Sequence, residues 1–158
     1  MQVIQQLEKQ LVPYRILGIS FGCCVALTSI ARLGSPAHLE KAVTWGAIPH
    51  WYFWTSFGRG RHTEDLGLGS GTTFIDDSVR FYTEITPLEY LVRELSIPIH
   101  VAYGSNDSHV PNEYINYLQR VCKDSVNQNR TFTLIQGCGH NVTNQDKNWN
   151  GFVEAVFS

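Results

Sequence analysis

Apolar residues fall in two kinds of block along the chain, and the two kinds alternate. Val3, Leu7 and Leu11 recur four apart, the spacing of one face of a helix, and Pro13 stops the run. Residues 15–20 are a short apolar run of strand length. A helix carrying Val25, Leu27 and Ile30 follows, and Gly34 with Ser35-Pro36 closes it. Residues 41–48 read as a second buried strand ended by Pro49. Thr86-Pro87-Leu88-Glu89 has the arrangement of a capping box, with Pro at the first helical position, and starts a helix reaching about Leu95. Residues 98–103 form a third apolar strand, left through Gly104-Ser105-Asn106-Asp107. Pro111 opens a helix with Tyr114, Ile115, Leu118 and Val121 on one face. Residues 131–135 make a fourth strand, followed by Gly137-Cys138-Gly139-His140, and a last helix lies near 149–156.

Strand and helix in alternation predict an α/β domain: a mostly parallel sheet of about four strands flanked by helices. Residues 50–86 break the pattern. His50-Trp51-Tyr52-Phe53-Trp54 and Phe57 lead into Gly67-Leu68-Gly69-Ser70-Gly71, and residues 76–82 read as a short helix. We take this stretch as a cap-like insertion between the second and third strands of one domain spanning 1–158. Its glycines do not make a phosphate loop, because no strand runs into them and no clear helix opens on them. Trp51 and Trp54 are the candidate walls of a substrate pocket.

Composition narrows the class. The 158 residues suffice for one core, and 43% hydrophobic with 16% charged residues fits a soluble globular chain, not a disordered one. A net charge of −2, with Lys and Arg scattered, gives no nucleic-acid surface. The four cysteines, Cys23, Cys24, Cys122 and Cys138, show no metal-ligand spacing and read as reduced thiols in a cytoplasmic protein. No stretch is long and apolar enough to span a bilayer or serve as a signal peptide, so no membrane partner is expected.

Candidate chemistry begins at Gly18-Ile19-Ser20-Phe21-Gly22, where a strand turns sharply into a helix. That is the setting of a nucleophile elbow, in which Ser20 is lifted into the open. Gly18 and Gly22 are expected because larger side chains would collide with the neighbouring strand and helix. The helix beginning at Phe21 points its positive end at any oxyanion formed beside Ser20, with the Phe21 N–H as donor. A serine hydroxyl is a poor nucleophile until an imidazole takes its proton and a carboxylate fixes the tautomer of that imidazole. Asp107 and His140 are the candidates, since both, like Ser20, follow the C-terminal end of a predicted strand. In a parallel sheet those ends share one edge. Asp76 and Asp77 are rivals inside the insertion; His109 and His50 are rivals for the base, while His100 reads as a strand residue.

The order Ser, Asp, His and the three segments around it resemble the α/β-hydrolases. Gly18-Ile19-Ser20-Phe21-Gly22 matches the elbow, residues 98–107 with Val110-Pro111 match the acid segment, and Gly137-Cys138-Gly139-His140-Asn141 matches the base segment. The chain looks like the C-terminal half of that fold and is most similar to the dienelactone hydrolases and prolyl-oligopeptidase-like peptidases. The resemblance implies a serine hydrolase of esters, thioesters or peptides, working through an acyl-enzyme with no cofactor and no metal. It also implies that strands before the elbow, and the loop giving a second oxyanion N–H, have no counterpart here. The first strand then stands as an apolar edge, which invites pairing. The expectation is a homo-oligomer, or a longer polypeptide whose start lies upstream of Met1, and the alternative to catalysis is a non-catalytic half-domain acting as a structural or interaction partner.

Overall fold

The computed structural model describes residues 2–48, 88–142 and 149–157. Helix α1 spans Gln2–Lys9, strand β1 Tyr14–Ile19, helix α2 Gly22–Leu33, and strand β2 Leu39–Trp45. After the undescribed stretch come helix α3 at Leu88–Glu94, strand β3 at Ile99–Gly104, helix α4 at Asn112–Lys123, strand β4 at Arg130–Ile135 and helix α5 at Trp149–Phe157. The strands lie in the order β1-β2-β3-β4 and every neighbouring pair is parallel. Fold class and alternation are therefore as the sequence reads. The insertion, with Trp51, Trp54, His50, Asp76 and Asp77, lies outside the described residues.

Period-two alternation splits the sheet between two apolar layers. Ile99, Val101 and Tyr103 of β3 join Cys23, Leu27 and Ile30 of α2, Leu91 and Val92 of α3, and Ile115, Leu118 and Val121 of α4. Ala102, on the opposite face of β3, joins Val43 and Trp45 of β2, Cys138, and Phe152 and Val156 of α5. Stepping in one direction across a parallel sheet with right-handed crossovers puts the connecting helices on a single face. Helix α5 comes after the last strand and covers the other face.

Two boundaries differ from expectation. In α1 the buried residue is Ile4, while Val3 and Leu11 are each 72% exposed. The i, i+4 stripe chose the wrong face because Leu11 lies beyond the helix, in the left-handed region at φ 56°. Strand β2 stops at Trp45, short of Ile48, since Gly46 at φ 53° breaks the pleat; Ala47 and Ile48 stay buried outside the strand.

Buried polar groups tie the layers. The Arg130 guanidinium donates to the carbonyls of Val92, Leu95 and Ile97, which satisfies the C-terminal end of α3 and the residues leaving it. Strand β1 occupies one edge of the described sheet and leaves Leu17 and Ile19 exposed.

His100 is buried in β3, with Nδ1 2.6 Å from Thr131 Oγ1 and no hydrogen-bond partner for Nε2. Burial, with the nearby Lys41 charge, pushes its pKa down to about 4. Above about pH 6.5 the folded and unfolded chains both hold His100 neutral. Between about 6.5 and 4 the unfolded chain takes up a proton that the folded chain refuses, so stability falls with pH there and levels off below. Urea denaturation at pH 7 and pH 5 should show a smaller loss in His100→Gln than in the wild type; equal losses would contradict this.

Candidate active site

The elbow is built by one crowded glycine and one strained serine. A Cβ on Gly18 would lie 2.6 Å from Cys23 Cα, so the last part of β1 can pass the first turn of α2 only without a side chain there. Ser20 then turns the chain at φ 54°, a conformation that L-residues adopt at a cost of about 1–3 kcal/mol. Its N–H donates to the Trp45 carbonyl at 2.8 Å, which holds the turn against the end of β2. Gly22 differs from the sequence expectation: a Cβ there meets nothing within 4 Å. It is the first residue of α2, and it enters the crowding at Gly18 only through its carbonyl oxygen, 3.0 Å from a Cβ built there.

Asp107 and His140 are brought together by two turns bonded to one another. Beyond β3 and β4 the chains stay paired: Ser105 N–H donates to Ile135 O at 2.9 Å, Asn106 N–H to Cys138 O at 2.8 Å, and Gly137 N–H to Ser105 Oγ at 2.8 Å. A Cβ on Gly104 would fall 2.2 Å from Cys138 O, so this approach depends on glycine. His140 is fixed from below by Trp45, whose Nε1–H donates to the His140 carbonyl at 2.8 Å.

Ser20, His140 and Asp107 form a continuous hydrogen-bonded line. His140 Nε2 is 3.0 Å from Ser20 Oγ, and His140 Nδ1 is 2.8 Å from Asp107 Oδ2. The Asp107 side chain is fully buried and that of His140 is 7% exposed. Asp107 Oδ1 also accepts the N–H groups of His109 at 2.8 Å and Val110 at 3.2 Å. A carboxylate can only accept, so the shared hydrogen sits on His140 Nδ1, and Nε2 of the neutral ring is left to accept from the Ser20 hydroxyl. The arrangement can move a proton from Ser20 Oγ to His140 Nε2.

The other candidates fall as follows. The ring of His109, the rival base, lies against the His140 ring with centroids 4.4 Å apart, while the nitrogen 3.0 Å from Ser20 Oγ belongs to His140. His100 is a strand residue, as expected. Phe21 stands at the N-cap of α2. All four cysteines are buried thiols outside any disulfide. Burial raises the thiol of Cys23 and pushes that of Cys24 up to about 12, so neither competes with Ser20 as a nucleophile.

Two residues that matter here escaped the sequence reading. Trp45 lay unremarked inside the 41–48 run read as a buried strand, and nothing in its spacing marks the bond to His140. Gly46 read as part of a strand, yet a Cβ there would come within 2.9 Å of His140 Nδ1 and 3.3 Å of Asp107 Oδ2. Its signal was a glycine at the end of an apolar run, level in the sheet with the elbow.

Among the described residues, Asp107, His109 and His140 place donor atoms within 4.8 Å of one another, close enough to hold a metal ion. Both carboxylate oxygens of Asp107 accept hydrogen bonds within this group, one of them from His140 Nδ1. Two surface cavities, of about 490 and 270 Å³, are lined by residues such as Glu8 and Ala37 or Arg93 and Tyr117, away from Ser20. No described helix is long and apolar enough to cross a membrane.

The described four-stranded parallel sheet, flanked by helices and with a strand-to-helix elbow, has the α/β-hydrolase fold over the part described. Its structural neighbours are esterases, bromoperoxidases and other hydrolases matched over most of this chain. An esterase from a Rhodococcus species is 18% identical over 90% of this chain and 65% of its own, with a TM-score of 0.54. An esterase from Pyrococcus furiosus is 16% identical over 91% of this chain and 53% of its own, at 0.58. The monoacylglycerol lipase of Paleococcus ferrophilus is 15% identical over 98% of this chain and 71% of its own, at 0.58. The chain thus spans between about half and three-quarters of these proteins, and at such identities the likeness is one of fold. No protein-family profile matches the sequence, and no curated protein does.

The two elbow glycines should separate on substitution. Gly18→Ala must displace the α2 backbone and should cost about 2 kcal/mol or more. Gly22→Ala enters open space in a helix and should be neutral or stabilising by up to about 1 kcal/mol. Chemical denaturation of the two variants checks this, and equal costs would refute it.

Proposed function

We propose that the chain is a serine hydrolase that cleaves an ester, thioester or peptide bond through an acyl-enzyme on Ser20. The observation that carries the reading is the line from Ser20 Oγ through His140 to Asp107, at 3.0 and 2.8 Å. Ser20 Oγ attacks the acyl carbon while its proton passes to His140 Nε2. Asp107 holds the ring in the tautomer that makes this possible and stabilises the imidazolium. The Phe21 N–H, next to the nucleophile at the positive end of α2, supports the oxyanion. His140 then gives its proton to the leaving group, and water releases the acyl group by the same steps reversed in role. The strain at Ser20 fits this use, since left-handed non-glycine residues gather at functional turns.

Among the described residues the Phe21 N–H is the donor this reading assigns, and one donor is weaker than a pair. Loss of one donor costs about 3 kcal/mol, or roughly 10²-fold to 10³-fold in rate. With that donor alone turnover should be slow; Trp51 and Trp54 are the residues we assign to the acyl pocket.

A second reading is favoured by the exposed Leu17 and Ile19 on edge strand β1. An apolar row beside unpaired strand edges is suited to a partner, either a second copy or further strands of a longer hydrolase. In that reading the chain serves as an interaction half-domain.

Hydrolysis of short p-nitrophenyl esters separates the two. Catalysis predicts turnover that Ser20→Ala abolishes and that Asp107→Asn lowers by about 10⁴-fold, through the wrong tautomer. Gly46→Ala, which pushes on His140 and Asp107, should lower it by about 10²-fold with the fold intact. Turnover unchanged in Ser20→Ala would sink the catalytic reading.

A further inference from the structure

The turn that carries Asp107 also carries an aromatic plate for His140. The ring of His109 lies against that of His140, centroids 4.4 Å apart and planes 32° from parallel. The main chain of the same residue donates its N–H to Asp107 Oδ1 at 2.8 Å, while Asp107 Oδ2 meets His140 Nδ1. His109 thus meets the pair through its backbone and its ring: the N–H and, at 4.0 Å, Nδ1 reach Asp107 Oδ1, and the ring face lies on the base. The His109 side chain is 29% exposed and that of His140 only 7%, so of the two rings in contact His109 is the outer one. Elsewhere His140 is confined by Gly46, where not even a Cβ fits without crowding Nδ1 and Cε1, and by the Trp45 bond to its carbonyl.

We propose that His109 is a positioning residue for the hydrolytic reaction: its ring fixes the plane of His140 so that Nε2 stays on Ser20, and favours the cationic ring formed in the reaction. The inference rests on the serine-hydrolase reading. When Ser20 Oγ bonds to the acyl carbon and its proton moves to Nε2, His140 becomes positive 4.4 Å from an aromatic face. A cation within about 6 Å of such a face is attracted by the ring quadrupole. The ground state carries no such charge, so this contact strengthens toward the transition state and acts on kcat more than on KM.

The test compares His109→Ala, His109→Gln and His109→Phe in the full chain, each checked for folding by circular dichroism. Ester turnover, the rate of phosphonylation by a fluorophosphonate, and the downfield proton resonance of His140 Nδ1–H are measured. Ala and Gln should lower kcat and the phosphonylation rate by about 10-fold with KM within about twofold, and should broaden the resonance. Phe, which keeps a ring at the same place, should restore rates to within about threefold of wild type and sharpen the resonance. Full activity in Ala and Gln, or no recovery in Phe, would overturn the proposal. A wild type that neither turns over nor is phosphonylated defeats the hydrolase reading instead. The resonance still decides the positioning in that case: unchanged in Ala, it overturns the plate.

Discussion

Trp45 holds the two halves of the site together. Its carbonyl accepts the N–H of Ser20 at 2.8 Å, and its indole donates to the carbonyl of His140 at 2.8 Å. One buried residue at the end of β2 therefore sets the height of the elbow on one side and of the base loop on the other. Its ring is in turn fixed edge-on against Phe152 of α5, with centroids 4.9 Å apart. The parallel sheet makes this possible, because strands running the same way deliver their C-terminal ends to one edge. The Ser20 to His140 distance is thus a property of sheet register as much as of the residues themselves.

Close approach is the second constraint. Gly18, Gly46 and Gly104 each stand where a Cβ would meet backbone or a site side chain at 2.9 Å or less. The first lets α2 start directly beneath the elbow, the last lets the acid turn lie on the base loop, and Gly46 leaves space for His140 beside Asp107. The buried carboxylate is stabilised by three donors, two main-chain N–H groups and the imidazole, which keeps it aimed at one ring atom. A site assembled this way is held in one geometry by close packing and hydrogen bonds, the kind of preorganisation that the proposed proton transfer calls for.

Much of this was legible in the sequence. The alternation of strand-length and helix-length apolar blocks gave the order of elements, and the positions of Ser20, Asp107 and His140 just past strand ends gave their meeting place. Contacts across the sheet were not legible. The bond from Trp45 to His140 joins residues 95 apart, and the packing of His109 on His140 depends on how two turns meet. Periodicity also misjudged Val3 and Leu11, since a stripe at helical spacing does not say where the helix ends. Gly22 fitted the elbow pattern, but the reason for a glycine holds at Gly18 and not at Gly22.

The central claim is that Ser20 is activated by His140 in this chain, and intact-mass analysis after fluorophosphonate treatment tests it most directly. The account predicts one phosphonyl adduct on the wild type and none on Ser20→Ala or His140→Ala, all three being folded. An adduct that survives in Ser20→Ala, or no adduct on the folded wild type, would contradict it.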